Sequence, residues 1–271
     1  MPGRHIRNIL TAVAILLAFG VVRLFVEEPL AREMKARQYW PDTINMKMRD
    51  QIGQLGFTAA LGGFRSLVAS ILGVKAFVHW DNGRFDQANA LHWVIVNLQP
   101  RSFFNWFQAV HNTAYDKASA IQNAEDRRAD WEVKYREAFD EGRRFLEEAR
   151  KFLPEDYRVY SMMAELHQER FRPWPPDFCK AAEYYKLAAE CPDTKPYYKR
   201  FHAYAVAQCP GREAEGYRLL REVYDKGQRY PSVITHLKRL EDFLGIPPSG
   251  RIAERTQPPN DFIRRPGAPE G

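Results

Sequence analysis

Gly83-Arg84-Phe85-Asp86-Gln87-Ala88-Asn89-Ala90-Leu91-His92-Trp93-Val94-Ile95-Val96-Asn97-Leu98-Gln99-Pro100 decides how the rest of the chain is read. Ala88, His92 and Ile95 are spaced by four and then three residues, which puts them on one stripe of an α-helix. Gly83-Arg84-Phe85 introduces the helix. Pro100 cannot continue it and sets the angle into the next one. A small residue at the head of the stripe lets a paired helix approach closely.

Outward from this stretch the pattern returns. Gly142, Leu146 and Ala149 are followed by Pro154, and Ala181, Tyr185 and Ala188 by Pro192. A weaker fourth copy has Gly216, Leu220 and Val223, with Pro231 further away than the pattern asks. Each is preceded by residues suited to a first, partner helix: Leu72 and Ala76, Trp106 and Ala109, Tyr160 with Met163 and Ala164, Tyr198 and Phe201. From about residue 54 to 245 the chain reads helix, turn, helix, turn. It has no convincing alternating strand run and no Asn-Gly hairpin signal between two such runs, so the expected class is all-α.

The segment from Gly83-Arg84-Phe85-Asp86-Gln87-Ala88 to Leu98-Gln99-Pro100 resembles the second helix of a tetratricopeptide (TPR) unit. The recurring alanine, bulky residue, second small residue and terminal proline are similar to the TPR pattern over roughly residues 55–245. Leu61-Gly62-Gly63-Phe64-Arg65, running into the first unit, resembles uncharacterised membrane-anchored bacterial TPR proteins. The chain departs from the standard unit at an insertion around 120–131, at Arg172-Pro173-Trp174-Pro175-Pro176, and in the degenerate fourth copy. The resemblance implies a helix-turn-helix repeat solenoid whose concave groove takes a peptide or helix of another protein. Its groove residues would come from the first helices: Asn105, Gln108, Asn112, Tyr115, Glu165 and Arg200. Trp174, in the Pro-rich loop, is a further candidate contact.

Four segments are expected. Residues 1–27 are an anchor or signal peptide: Arg4, His5 and Arg7 precede an apolar run over residues 9–26, interrupted by Arg23. Roughly 18 residues at about 1.5 Å each just cross a bilayer core of about 30 Å. The leading basic residues keep the N-terminus cytoplasmic. The anchored reading is therefore a single-pass inner-membrane protein with a periplasmic, or more generally extracytoplasmic, repeat domain. Ala18-Phe19-Gly20 offers the alternative of a cleaved signal peptide, which exports the body equally. Residues 28–54 form a charged linker or stalk broken at Pro41-Asp42-Thr43, with Thr43 placed to cap a helix from Ile44. Residues 55–245 are the repeat domain, opening on a mostly apolar helix over 57–80 that contains Gly62-Gly63. They close on a capping helix over 232–244, where Ser232 is the expected cap, Val233, Leu237, Leu240 and Leu244 the apolar stripe, and Gly245 the stop. Residues 246–271 form a Pro- and Arg-rich tail expected to be disordered.

Composition narrows the function. The 271 residues are 45% hydrophobic and 27% charged, the balance of a folded chain. The net charge of +6 is spread among interspersed acids and bases, which argues for a solvated surface and against nucleic acid. No Gly-rich phosphate loop, HExxH, paired Cys ligands or nucleophile elbow occurs in the sequence, so no catalytic residue, metal or cofactor is expected. The seven histidines are dispersed. Cys179, Cys191 and Cys209 form no CxxC; outside the cytoplasm one pair could oxidise and leave one thiol, and otherwise all three pack as small hydrophobes. The expected function is a membrane-anchored protein–protein interaction scaffold in a cell-envelope complex. The alternative is an intrinsic structural subunit of a multi-subunit membrane complex, with the transmembrane helix packed in the assembly.

Overall fold

The computed structural model describes residues 63–124, 129–169 and 172–253, together with Pro29, Arg32, Glu33 and Ala36. Every regular element among them is helical. No described helix is long and apolar enough to cross a membrane. The anchor over 9–26, almost all of the stalk, and the tail beyond 253 lie outside the described residues. The chain divides into two compact units, Met1–Phe152 and Leu153–Gly271.

In the first unit, α1 (Arg65–Asp81) packs on α2 (Phe85–Leu98). Val68, Ala69, Leu72 and Ala76 meet Leu91, Val94, Ile95 and Leu98 in one buried cluster. Each large aliphatic side chain so buried contributes about 1.5–3 kcal/mol. The pair is joined by a tight reversal at Gly83, whose φ of +68° suits a residue without a Cβ. There the amides of Gly83 and Arg84 donate to the carbonyls of Trp80 (2.9 Å) and His79 (2.8 Å), closing the end of α1. Helix α1 does not include Gly63, contrary to what the apolar stretch over 57–80 suggested. Gly63 has a φ of +97°, which a right-handed helix excludes, and α1 starts two residues later.

Helix α3 (Phe103–Val110) continues through a π-helical turn, His111–Lys117, into α4 (Ala118–Asn123). The wider turn begins where Thr113 Oγ1 donates to the Ala109 carbonyl at 2.7 Å, competing for the acceptor a regular ladder would use. Part of the expected insertion is thus a lengthening of the first helix, and residues 125–128 lie outside the described set. Helix α5 (Trp131–Phe152) packs along α3 and the π turn. Its Gly142 sits so close that an added Cβ would lie 2.5 Å from Ala114 Cβ. Buried Trp106 donates its indole N–H to the Pro100 carbonyl at 2.7 Å and packs edge-on to Phe145.

The second unit holds α6 (Tyr157–Gln168), α7 (Phe178–Glu190), α8 (Tyr197–Val206), α9 (Glu213–Asp225) and α10 (Pro231–Phe243). Asp156 and Asp177 cap α6 and α7 by accepting from the amides of Arg158 (3.0 Å) and Lys180 (2.9 Å). Ala181, Tyr185 and Ala188 are buried between α6 and α8, as their stripe implied. Gly216 of α9 lies directly on the Ala207 backbone. A disulfide joins Cys179, in the first turn of α7, to Cys209 in the loop after α8, with the two Cα atoms 4.7 Å apart. Cys191 is the thiol left over, and it is buried.

Two details at the C-terminal end depart from the sequence reading. Ser232 does not cap α10. The helix starts at Pro231, whose fixed φ suits that position, and Ser232 hydrogen-bonds the Tyr204 hydroxyl at 2.6 Å instead. The structured chain also reaches past 245. Ile252 is buried in the cluster of Leu220, Val233, Leu237 and Leu240, and its amide donates to Glu241 Oε1 at 2.8 Å. A single isoleucine in a Pro-rich stretch carries no periodic signal, so its burial was invisible before the fold. The rest of the α10 stripe is as expected: Val233, Leu237 and Leu240 are buried, Leu244 packs against them, and Gly245 (φ +65°) follows.

Candidate functional site

A cleft in the first unit opens between α1 and α3, with α2 as its floor. Two adjoining cavities of about 380 and 250 Å3 form it, and both are lined by Gly73, His92 and Gln108. The space exists because α1 presents Ala69, Ser70 and Gly73 to it, residues too small to reach across to α3.

One half of the cleft is rich in amides. Asn105 Nδ2 donates to Gln99 Oε1 at 2.9 Å, and Ser102 and Gln108 complete that wall. Gln108 lines both cavities and makes no side-chain hydrogen bond among the described residues, which leaves its amide donors and acceptor available there. The other half is aromatic. Phe77, Trp80, Phe107 and His111 line it together with Asp116, which accepts from the Trp80 indole N–H at 2.9 Å. Phe77 lies 5.5 Å from Trp80, and His111 stacks between Phe107 (4.4 Å) and Tyr115 (4.9 Å).

His92 joins the two halves. Its Nε2 faces Asn112 Nδ2 at 2.9 Å, where only a neutral imidazole can accept. Burial in the helix pair pushes its pKa down from 6.5 to about 4, so the ring stays neutral and acts as a fixed hydrogen-bond partner. The cleft thus offers amide donors and acceptors beside aromatic faces. Polar groups and apolar faces are thus available to a ligand side by side.

Three of the sequence candidates, Asn105, Gln108 and Asn112, come together here. Tyr115 is on the same helix, stacked behind His111, and does not line either cavity. The other three belong to the second unit. Glu165 accepts from Ser161 Oγ at 2.9 Å, and burial raises its carboxyl pKa. Trp174 is half-buried, with the Arg172 guanidinium 5.5 Å from its ring; Arg172 itself donates to the carbonyls of His167 (2.6 Å) and Pro175 (2.8 Å) and so pins that loop. Arg200 lies 4.1 Å over the Tyr230 ring and lines a separate cavity of about 490 Å3 with Lys186, Lys199 and Lys226.

Sequence reasoning missed His92 as a cleft residue because its place in the repeat stripe marked it as packing. Phe77, Trp80 and Asp116 were missed because their meeting depends on the distance between α1 and α3. Their only signal was spacing: Ser70, Gly73, Phe77 and Trp80 recur every three or four residues. Among the described residues no cluster of His, Cys, Asp and Glu could hold a metal ion. No protein-family model matches the chain, and no curated protein matches its sequence.

Proposed function

We propose that this protein is a TPR-like, membrane-tethered adaptor that holds a segment of a partner protein in the cleft between α1 and α3. The observation that carries the reading is the unspent Gln108 amide beside Asn105 and Asn112, on a floor held neutral by His92. Paired helices whose second members bury Ala88–His92–Ile95, Gly142–Leu146–Ala149 and Ala181–Tyr185–Ala188 support the repeat assignment. The Cys179–Cys209 disulfide supports a location outside the reducing cytoplasm, in keeping with the basic-then-apolar N-terminus. An inner-membrane anchor with an extracytoplasmic body accommodates both, and such a protein would serve as a scaffold in a cell-envelope complex.

The test is affinity recovery of partners by the membrane-extracted, C-terminally tagged full chain. It is compared with a form lacking residues 1–27 and with a Gln108→Ala, Asn105→Ala double variant. A partner retained by the first two and lost by the double variant, with unchanged helicity, is the expected outcome. Retention by the double variant would remove the cleft from the mechanism. Recovery only with residues 1–27 present would replace the adaptor by an intrinsic subunit of a membrane complex.

A further inference from the structure

The aromatic half of the cleft holds a carboxylate with no cation beside it. Asp116 is half-buried and forms no ion pair among the described residues. Its Oδ2 accepts the Trp80 indole N–H at 2.9 Å, and its Oδ1 has no hydrogen-bond partner among the described residues. Lys117, the next residue, is held elsewhere, by Asp86 at 2.6 Å. No Lys or Arg is among the residues lining this cavity, and His92 on its floor stays neutral. A carboxylate can accept several hydrogen bonds, so acceptor capacity is left here for a ligand. The rest of the wall is aromatic, with Phe77, Trp80, Phe107 and His111. The Trp80 N–H is that ring's single donor and is spent on Asp116, so the indole meets a ligand with its π surface. Such surfaces attract cations, and that of Trp attracts them most. In the second unit the chain's own cations cover rings in this way: Arg200 lies 4.1 Å from the Tyr230 ring centre, and Arg229 4.9 Å from that of Tyr224.

We propose that this half of the cleft takes one organic cation, the guanidinium or ammonium head of an Arg or Lys side chain on the partner segment; the inference rests on the adaptor reading above. Asp116 supplies the counter-charge and a charge-assisted hydrogen bond, and the rings cover the methylenes behind the head. A cavity of about 250 Å3 is smaller than the clefts of about 300–1,000 Å3 that enclose a whole drug-sized ligand, and it suits the end of a single side chain. The adjoining cavity, with Asn105 and Gln108, is left for the neighbouring backbone of the same segment.

The experiment follows the tryptophan indole N–H signals of the nitrogen-labelled full chain in detergent by magnetic resonance. The Trp80 signal is the one absent from Trp80→Phe. The probes are n-butylguanidinium and n-butylammonium, with neutral n-butylurea matching the first in shape and choline standing for a free quaternary ammonium. Both butyl cations should shift the Trp80 signal saturably, with affinities about tenfold or more above that of n-butylurea. Asp116→Asn keeps an acceptor for the indole, and it should weaken both cations by about tenfold with helicity unchanged. Equal responses to the cations and n-butylurea, no response to any probe, or undiminished binding by Asp116→Asn overturns the proposal. Tighter binding of choline than of either butyl cation overturns it in favour of a free quaternary ammonium ligand. Partner recovery separates this proposal from the adaptor reading. If Asp116→Asn retains a partner that the Gln108→Ala, Asn105→Ala variant loses, the cation is overturned and the adaptor stands. If the double variant retains the partner while the butyl cations still bind, the adaptor falls, and with it the partner side chain as the source of the cation.

Discussion

The two units are built on one plan and finish it differently. In the first, the α1 residues facing α3 are Ala69, Ser70 and Gly73, and a cleft remains above α2. In the second, the corresponding first helices α6 and α8 carry Tyr157 and Tyr198, whose rings meet at 5.3 Å, while Tyr198 also packs on Phe201 and Tyr185. Glu165, a groove candidate by sequence, accepts from Ser161 Oγ there. Helix pairing is therefore shared, but the openings differ in place: rings fill the space between α6 and α8, and the cavity of about 490 Å3 in the second unit is lined by α7, α8 and α9 instead.

The difference can be tested unit by unit, with hydrogen exchange resolved along the chain. The largest effect should come from reducing Cys179–Cys209. Closing a loop with a sequence separation of 30 contributes about 3–4 kcal/mol by chain entropy. Protection should fall by that amount in the second unit and stay unchanged in the first. A loss spread over both would mean the units do not unfold separately.

Acid should act on the first unit through His92. Unfolded His92 takes up a proton below its ordinary pKa of 6.5, while the folded ring resists until about 4. The stability this contributes is fully present above pH 6.5 and is lost as the pH falls from 6.5 through 4. Its size is roughly 3 kcal/mol. Replacing His92 by Gln should flatten that part of the pH profile of the first unit. An unchanged profile would show that the ring is not held neutral.

Close packing gives a smaller effect. Gly142→Ala pushes a methyl onto Ala114 and should destabilise the first unit by about 2 kcal/mol, measured as a shift in urea midpoint at constant slope. Asn112→Ala leaves the His92 acceptor unpaired and should cost about 1 kcal/mol. Smallest of all, Gln108→Ala should alter stability by no more than about 0.5 kcal/mol while weakening partner binding, since its amide makes no hydrogen bond among the described residues.

Legibility in the sequence followed range. The helix pairs were readable because their signal is local: steps of three and four residues and a proline at the end. Asn105, Gln108 and Asn112 were found together because they share one stripe of one helix. Glu165 and Arg200 were grouped with them by analogy between repeats, and Trp174 by its Pro-rich loop; all three fall in the second unit, away from this cleft. Ser232 was misassigned because Pro231 starts the helix one residue earlier, and Ile252 had no pattern to announce it.

The sequence by itself determined that the described chain is all helical, where most of its helices lie, and which residues form their buried stripes. Periodicity and turn residues act within a few positions of each other, so they survive without a fold. Only the tertiary structure decided which cysteines pair, that His92 is neutral, and that a cleft opens in the first unit at α1 and α3. Each of those depends on the distance and burial between side chains far apart in the chain, which packing alone sets.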